Sequence, residues 1–261
     1  MTSQNHYTFG DGERAARRLE LLARVYEPSS RALIERFRPA SSELALALDL
    51  GAGPGHTTRL VHEVSQAKRT IGLEASSRYL AASREHASDG IEFMQEDVTA
   101  PTEAVPPAGL VFCRFVLTHL ADPAAAIRGF RKLVEAGGVL LLQEMASMQS
   151  AHPALSRYYE LVGQLQAHYG QTLYIGRQLQ RLAVGAPFRV LHSGVQHFEQ
   201  PAATMAELHL QNLRTWRSDS FAVSAFGGTE LDRLDAQLQA IVSGEERVAP
   251  VALGLAELAL Q

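Results

Sequence analysis

The sequence predicts an α/β protein built on a doubly wound, mostly parallel seven-stranded sheet, with N-terminal helices and a helical lid, and three observations carry that expectation. Short apolar runs alternate with helix-like segments between residues 44 and 146, the pattern that builds parallel βαβ units. The first run ends in Asp49-Leu50-Gly51-Ala52-Gly53-Pro54-Gly55, a glycine-rich turn ahead of a helix start, where backbone N–H groups face a polar ligand. Acidic residues close the next two runs, at Glu74 and at Glu96-Asp97. The polar candidates therefore gather beyond the carboxyl ends of the strands, which is where such sheets bind ligands.

Taken in order, residues 12–37 carry Ala15, Leu19, Leu22 and Tyr26, then Leu33, Ile34 and Phe37, on apolar faces at helical spacing, and are expected to pack across the ligand end of the sheet. A first strand from about residue 44 to Leu50 leads through the glycine turn into a helix over Thr57 to Gln66. The second strand is Thr70-Ile71-Gly72-Leu73, ending in Glu74, and the third is Ile91 to Gln95. Pro101, Pro106 and Pro107 mark a connector before a fourth apolar pulse from Gly109 to Leu120. Pro123 suits a first helical turn, so a helix is expected over 124–134, stopped by Gly137-Gly138 before a fifth strand, Val139 to Glu144. His152 to Ala183 then interrupts the alternation with Tyr158, Tyr159, His168, Tyr169 and Tyr174, aromatics that either line a pocket for a flat or apolar substrate or pack between helices. Phe188 to Phe198 reads as a sixth strand, Thr204 to Trp216 and Leu231 to Val242 as amphipathic helices, and Val248 to Leu260 as a seventh strand. The expected organisation is a cap over 1–40, a core over 41–150, a lid over 151–185 and the rest of the core, with a helical insertion, over 186–261.

The glycines fall at 51, 53 and 55, and His56 stands where the third glycine of a dinucleotide G-x-G-x-x-G motif belongs. No Gly-Lys-Ser or Gly-Lys-Thr follows, so a phosphate loop is excluded as well. With Asp49 ahead of the glycines, Glu74 at the second strand tip and Asp97-Val98 past the third, the block over residues 44–146 resembles the class I S-adenosylmethionine-dependent methyltransferases, in their small-molecule subgroup. The resemblance implies a Rossmann-like core that binds S-adenosyl-L-methionine and releases S-adenosyl-L-homocysteine. It implies that Asp49, Gly51, Ala52, Gly53 and Gly55 form the cofactor cradle, that Glu74 with Ala75 grips the ribose diol, and that Asp97 accepts from the adenine amino group with Val98 against the ring. It also places Arg114 near the methionine end, its side chain on the cofactor carboxylate or on Asp122. Tyr7 closes over the methionine part or is an ordinary terminal side chain.

Displacement on a sulfonium requires positioning and exclusion of water, and a base only where a proton must leave the acceptor. His119 is the candidate base, because it follows the fourth strand and an unperturbed imidazole, with a pKa of about 6.5, suits proton transfer near neutrality. The bland alternative is a packing histidine. His152, His168, Glu144 and Tyr158 are further candidates, and His56 reads as structural.

A net charge of −4 over 261 residues supplies no general attraction to phosphate backbones. A small-molecule acceptor is expected instead, methylated on O or N, in the manner of a secondary metabolite or quinone-like compound. The single cysteine, Cys113, allows no internal disulfide and suits a reducing compartment. No apolar run reaches the length of a membrane span, and a cytoplasmic monomer or homodimer is expected. No histidine and cysteine cluster suggests a metal. Two other classes of function stay open at this point: a nicotinamide-dependent oxidoreductase, and a cofactor-binding relative that transfers no methyl group.

Overall fold

A computed structural model describes residues 13–39 and 44–261. It begins with α1 (Glu13–Phe37), followed by β1 (Leu46–Leu50), α2 (His56–Ser65), β2 (Arg69–Glu74), α3 (Ser77–Ser83), β3 (Ile91–Gln95), β4 (Ala108–Arg114), α4 (Pro123–Gly129) and β5 (Val134–Gln149). Beyond these come α5 (Pro153–His168), α6 (Leu179–Leu182), β6 (Val190–Gln200), α7 (Ala202–Trp216), α8 (Ser220–Phe226), α9 (Gly228–Ser243) and β7 (Val251–Leu260).

The seven strands form one sheet in the order β3-β2-β1-β4-β5-β7-β6. Strands β1 to β5 pair in parallel, and β7 runs antiparallel between β5 and β6. Every residue of β4 is buried, as befits a central strand covered by helices on both faces. At one edge β6 alternates exposed and half-buried positions. The order reverses between β1 and β4, and the carboxyl ends of these two strands define the switch point where an open sheet takes its ligand.

Several elements depart from the sequence expectation. The two N-terminal stripes lie on one helix, α1, with Pro28 inside it. A proline there forfeits a helical hydrogen bond, and burial of Tyr26, Ser29, Ser30, Leu33 and Ile34 around it carries the helix through. The helix expected over 124–134 ends at Gly129 and closes in a 3-10 turn, Phe130–Leu133. Strand β5 outlasts Glu144 because β7 pairs with it as far as Gln149. Two short helices were not expected: α3, capped by the Ser76 side chain accepting from the Tyr79 N–H, and α8, capped by Asp219 accepting from Ala222.

Helices α1, α5, α7 and α9 join over the carboxyl ends of the strands in one apolar cluster that contains Tyr26, Tyr158, Leu208, Leu213, Trp216 and Leu234. Full burial of such a side chain contributes about 1.5–3 kcal/mol. The segment expected as a lid is thus a packed layer, with α5 against α8 and α9. Among the described residues no helix is long and apolar enough to cross a membrane.

Candidate functional site

The glycine turn is tied to the tip of β2 by two donors, the Gly51 and Ala52 N–H groups, which share the Leu73 carbonyl at 2.9 and 3.0 Å. Gly51 has φ of 72°, and a Cβ there would run into the Val116 side chain. Gly55 has φ of 97°, with the Phe93 ring 2.7 Å from where a Cβ would stand. Only glycine meets both the left-handed backbone and the close approach. Beneath the turn, Asp49 accepts from the Thr58 hydroxyl at 2.8 Å, and burial pushes its carboxyl up to about 7. Asp49 and Gly55 shape the turn from behind, whereas Gly51, Ala52 and Gly53 line the cavity above it.

Glu74 bridges the turn and the start of α3: Oε2 accepts the Gly53 N–H at 2.8 Å and Oε1 the Ser76 N–H at 2.7 Å. Next to it Ala75, Asp97 and Val98 line the same cavity. Asp97 is exposed, and its Oδ1 accepts from the N–H and hydroxyl of Thr99 at 2.9 and 2.7 Å. Its neighbour Glu96 spends both oxygens on Thr102.

The cavity holds about 970 Å³, near the upper end of the range of about 300–1,000 Å³ for ligand sites. It runs from the glycine turn, past residues 114–120, into a chamber between α1, α5 and α7. Arg114 stands at the junction, buried, donating to the Ser30 hydroxyl at 2.7 Å and the Thr57 hydroxyl at 3.0 Å. Ser30 passes the chain to Gln143 at 2.6 Å, and Gln143 to Glu257 at 2.9 Å. Burial lowers Arg114 to about 10, which leaves it charged at neutral pH. Asp122 is not its partner, because that carboxylate caps α4 on the Ala125 N–H at 2.8 Å.

After Arg114 the chain turns sharply, with Phe115 at φ of 57°. Glu144 holds this turn by accepting the Leu117 N–H at 2.7 Å. Burial pushes Glu144 up to about 8 against the pull of the Leu117, Val116 and Thr118 N–H groups. His119 lines the cavity, but its basicity differs from the expectation. Burial, then the Arg18 charge, lowers it to about 4, against a hydrogen bond donated to the Gln171 side chain that acts the other way. The imidazole is neutral across the physiological range and a weaker base than a free one.

Of the other candidates, Tyr158 and Glu144 line the cavity, while His152 pairs with Glu246 at 2.8 Å and His168 stacks on Phe221 at 4.0 Å, both away from it. Tyr158 is the one member of the aromatic set of residues 152–183 in the wall. His56 stands at the cavity mouth with its ring 4.7 Å from His86. Tyr7 lies outside the described residues.

The wall residues that escaped the sequence reasoning include Arg18, Gln166, His209 and Asn212. His209 is stacked on Tyr158 at 4.3 Å, with Nε2 3.3 Å from the Tyr159 hydroxyl, and burial lowers it to about 3. A signal existed, because His209 and Asn212 sit with Met205 and Trp216 on one helical stripe. A polar side chain on an apolar stripe is the informative kind of burial.

A sheet of this order, with an antiparallel seventh strand and a glycine turn at its switch point, is a doubly wound α/β core with its ligand site at the carboxyl ends of β1 and β4. Residues 18–193 match the model of the family described as a methyltransferase domain, and the chain belongs to the class I S-adenosylmethionine-dependent methyltransferases. It is 31% identical over 140 residues to the trans-aconitate 2-methyltransferase of Azoarcus sp. strain BH72, covering 54% of this chain and 49% of that protein. The chain spans about half the length of the curated relatives it matches. Among solved structures it is similar to a Haemonchus contortus phosphoethanolamine N-methyltransferase 2 in complex with S-adenosylhomocysteine, with a TM-score of 0.54, 15% identity and coverage of 93% and 57% of the two chains. A mycolic acid cyclopropane synthase complexed with S-adenosylhomocysteine gives a TM-score of 0.55 at 16% identity, covering 89% and 83%. The cofactor of this family is S-adenosyl-L-methionine.

Proposed function

We propose that the protein transfers a methyl group from S-adenosyl-L-methionine to an O or N atom of a small-molecule acceptor. The observation that carries this is one continuous cavity, which joins a glycine turn flanked by Glu74 and Asp97 to a chamber walled by α1, α5 and α7. The residues present fit the cofactor: bare backbone at Gly51 and Gly53, a carboxylate for a ribose diol, and an acid and an apolar side chain for adenine at Asp97 and Val98. When bound, the cofactor supplies a methyl group already activated on a sulfonium. Glu74 would hold the diol while its backbone donors keep the carboxylate fixed, and Arg114, anchored on Ser30 and Thr57, would face the amino-acid end. Phe115, Val116 and Leu120 would exclude water beside the acceptor.

His119 is proposed to accept a hydrogen bond or a proton from the acceptor. Its lowered basicity matches an acceptor that gives up its proton readily or arrives without one. Several of the curated relatives are named for a small organic acid, which supports a small-molecule acceptor here.

The test is a calorimetric titration with S-adenosylhomocysteine and, in parallel, NAD⁺, followed by assay with methyl-labelled cofactor and a panel of acceptors. The expected result is S-adenosylhomocysteine binding alone, with a free energy near −8 kcal/mol at micromolar Kd, about what such a site gives. Binding of NAD⁺ alone would overturn the proposal. Cofactor binding with no transfer to any acceptor would mark a homologue that keeps the cofactor for another use.

A further inference from the structure

Arg114, Gln143 and Glu257 stand in one row across the sheet. Arg114 of β4 is in register with Gln143 of β5, and Gln143 with Glu257 of β7. Ser30 of α1 reaches into this row from above and bonds both Arg114 and Gln143. Ser30 and Gln143 are fully buried, and Arg114 is 8% exposed. Of these four residues, Arg114 lines the cavity.

The hydrogen bonds of the row all run in one direction. The Arg114 Nη1 donates to the Ser30 hydroxyl at 2.7 Å, that hydroxyl to the Gln143 Oε1 at 2.6 Å, and the Gln143 Nε2 to the Glu257 Oε1 at 2.9 Å. The two ends impose this direction, because a guanidinium offers donors alone and an ionised carboxylate acceptors alone. Gln143 must therefore turn its oxygen to Ser30, and Ser30 its hydrogen to Gln143 and its lone pairs to Arg114.

A buried guanidinium is costly unless it is compensated. The direct partners of Arg114 are two neutral hydroxyls, Ser30 and Thr57. Asp49 and Glu27 act on it through space, but their hydrogen bonds go elsewhere, to Thr58 and Arg31. The carboxylate that the row leads to is Glu257, and bonds in such a chain polarise one another. Burial raises the Glu257 carboxyl against the pull of the Gln143 donor and the Arg36 charge. The His192 Nε2 stands 3.8 Å from its other oxygen.

We propose that Glu257 is a positioning residue for the cofactor: as the acceptor-only end of the row it fixes the direction of the Gln143 and Ser30 hydrogen bonds and so holds the Arg114 guanidinium toward the amino-acid end of S-adenosyl-L-methionine. The inference rests on the proposed transferase reading, in which Arg114 faces that end. An amide in place of the carboxylate donates as well as accepts, so the row is free to reverse. Gln143 then gives its N–H to Ser30, and the Ser30 hydrogen is left to face a guanidinium that accepts nothing.

The test is calorimetry on the full chain with Glu257→Gln, which keeps the shape of the side chain and removes its charge. S-adenosylhomocysteine is expected to bind about three- to tenfold more weakly, the net value of one hydrogen bond. 5′-Methylthioadenosine, which lacks the amino-acid end, is expected to keep its wild-type affinity, and Tm to stay near the wild-type value. Ser30→Ala cuts the row between Arg114 and Gln143. It should weaken S-adenosylhomocysteine by itself, and Glu257→Gln added to it should cause no further loss. S-adenosylhomocysteine binding in Glu257→Gln at or above the wild-type affinity, an equal loss for 5′-methylthioadenosine, or an undiminished loss in the Ser30→Ala background would overturn the positioning role. Failure of the wild type to bind S-adenosylhomocysteine would instead overturn the transferase proposal beneath it.

Discussion

The two ends of the cavity are made of different material. At the β1 to β3 end the polar groups are main chain and acids that the main chain holds: Gly51 and Ala52 tied to Leu73, and Glu74 tied to Gly53 and Ser76. At the α1, α5 and α7 end the polar groups are long side chains set on apolar stripes, Arg18, Gln166, His209 and Asn212. The first end is specified by backbone conformation, so it tolerates little besides glycine at the turn. The second is specified by which side chain occupies a helical position, so it sets what the chamber accepts without altering the fold. Under the proposed function, cofactor and acceptor selection are thus expected to be separable.

The most severe way to probe that separation is Gly51→Val, which places a branched side chain at φ of 72° and into Val116. Left-handed backbone costs a non-glycine residue about 1–2 kcal/mol, and overpacking adds about 1–3 kcal/mol. Binding of S-adenosylhomocysteine is expected to fall by about 100-fold or more in calorimetry, with α1, α5 and α7 still packed by near-UV circular dichroism. Near-wild-type affinity would show that the turn is not the cofactor contact.

At the other end His119→Ala should leave S-adenosylhomocysteine affinity unchanged and lower kcat. The loss is expected at or below about 100-fold, the low end for general acid and base work, because burial and Arg18 hold this imidazole near 4. The same value requires a wild-type rate that is flat in His119 ionisation from about pH 6 to 8 and falls only in acid. A limb at pH 6–7 that His119→Ala removes would show a free, solvated histidine instead.

The contrast between the two ends also explains what was legible in the sequence. Gly51, Gly53, Glu74 and Asp97 lie within one βαβαβ stretch, where strand tips bring residues together by local chain order alone. The seven strands and the large helices were readable from the period of their apolar residues. Short α3 and α8 were not, because seven residues give too few turns for a period, and only the caps Ser76 and Asp219 signal them. The Arg18 to Asn212 contact joins residues 194 apart. Nothing in either helix states its register against the other, so a polar residue on the stripe was visible but its partner was not. His119 was found as a position, while its lowered basicity is a product of burial and of Arg18, both tertiary.

Glu144 sits at the seam between the two ends, and Glu144→Gln separates its charge from its hydrogen bond to Leu117. Its carboxyl is raised from 4.5 to about 8, so between those values the folded state keeps a proton that the unfolded chain has released. Stability from this group is therefore full below about 4.5 and declines as pH rises through the window. Glutamine keeps an acceptor for the Leu117 N–H and cannot ionise. Urea unfolding at pH 5.5 and 8 should show the wild type losing stability relative to Glu144→Gln, by on the order of 2 kcal/mol. Parallel pH profiles would mean that the three backbone donors hold the carboxylate ionised.

The finest distinction falls within the cofactor end, between Glu74 and Asp97. Glu74 is half-buried and its two oxygens are fixed by Gly53 and Ser76, so Glu74→Ala removes a pre-positioned acceptor and is expected to weaken S-adenosylhomocysteine by about 1–3 kcal/mol. Asp97 is exposed, and one of its oxygens already accepts two hydrogen bonds from Thr99. Water competes for what remains, so Asp97→Ala should cost about 0.5–1.5 kcal/mol, the net value of an ordinary hydrogen bond. Inosyl homocysteine, which replaces the adenine amino group by an oxygen, isolates that bond. The wild type should prefer the adenine compound by the same few-fold that Asp97→Ala loses, and the variant should not discriminate. Discrimination that persists in Asp97→Ala would move adenine recognition to the backbone beside Val98, making this end of the cavity main-chain throughout.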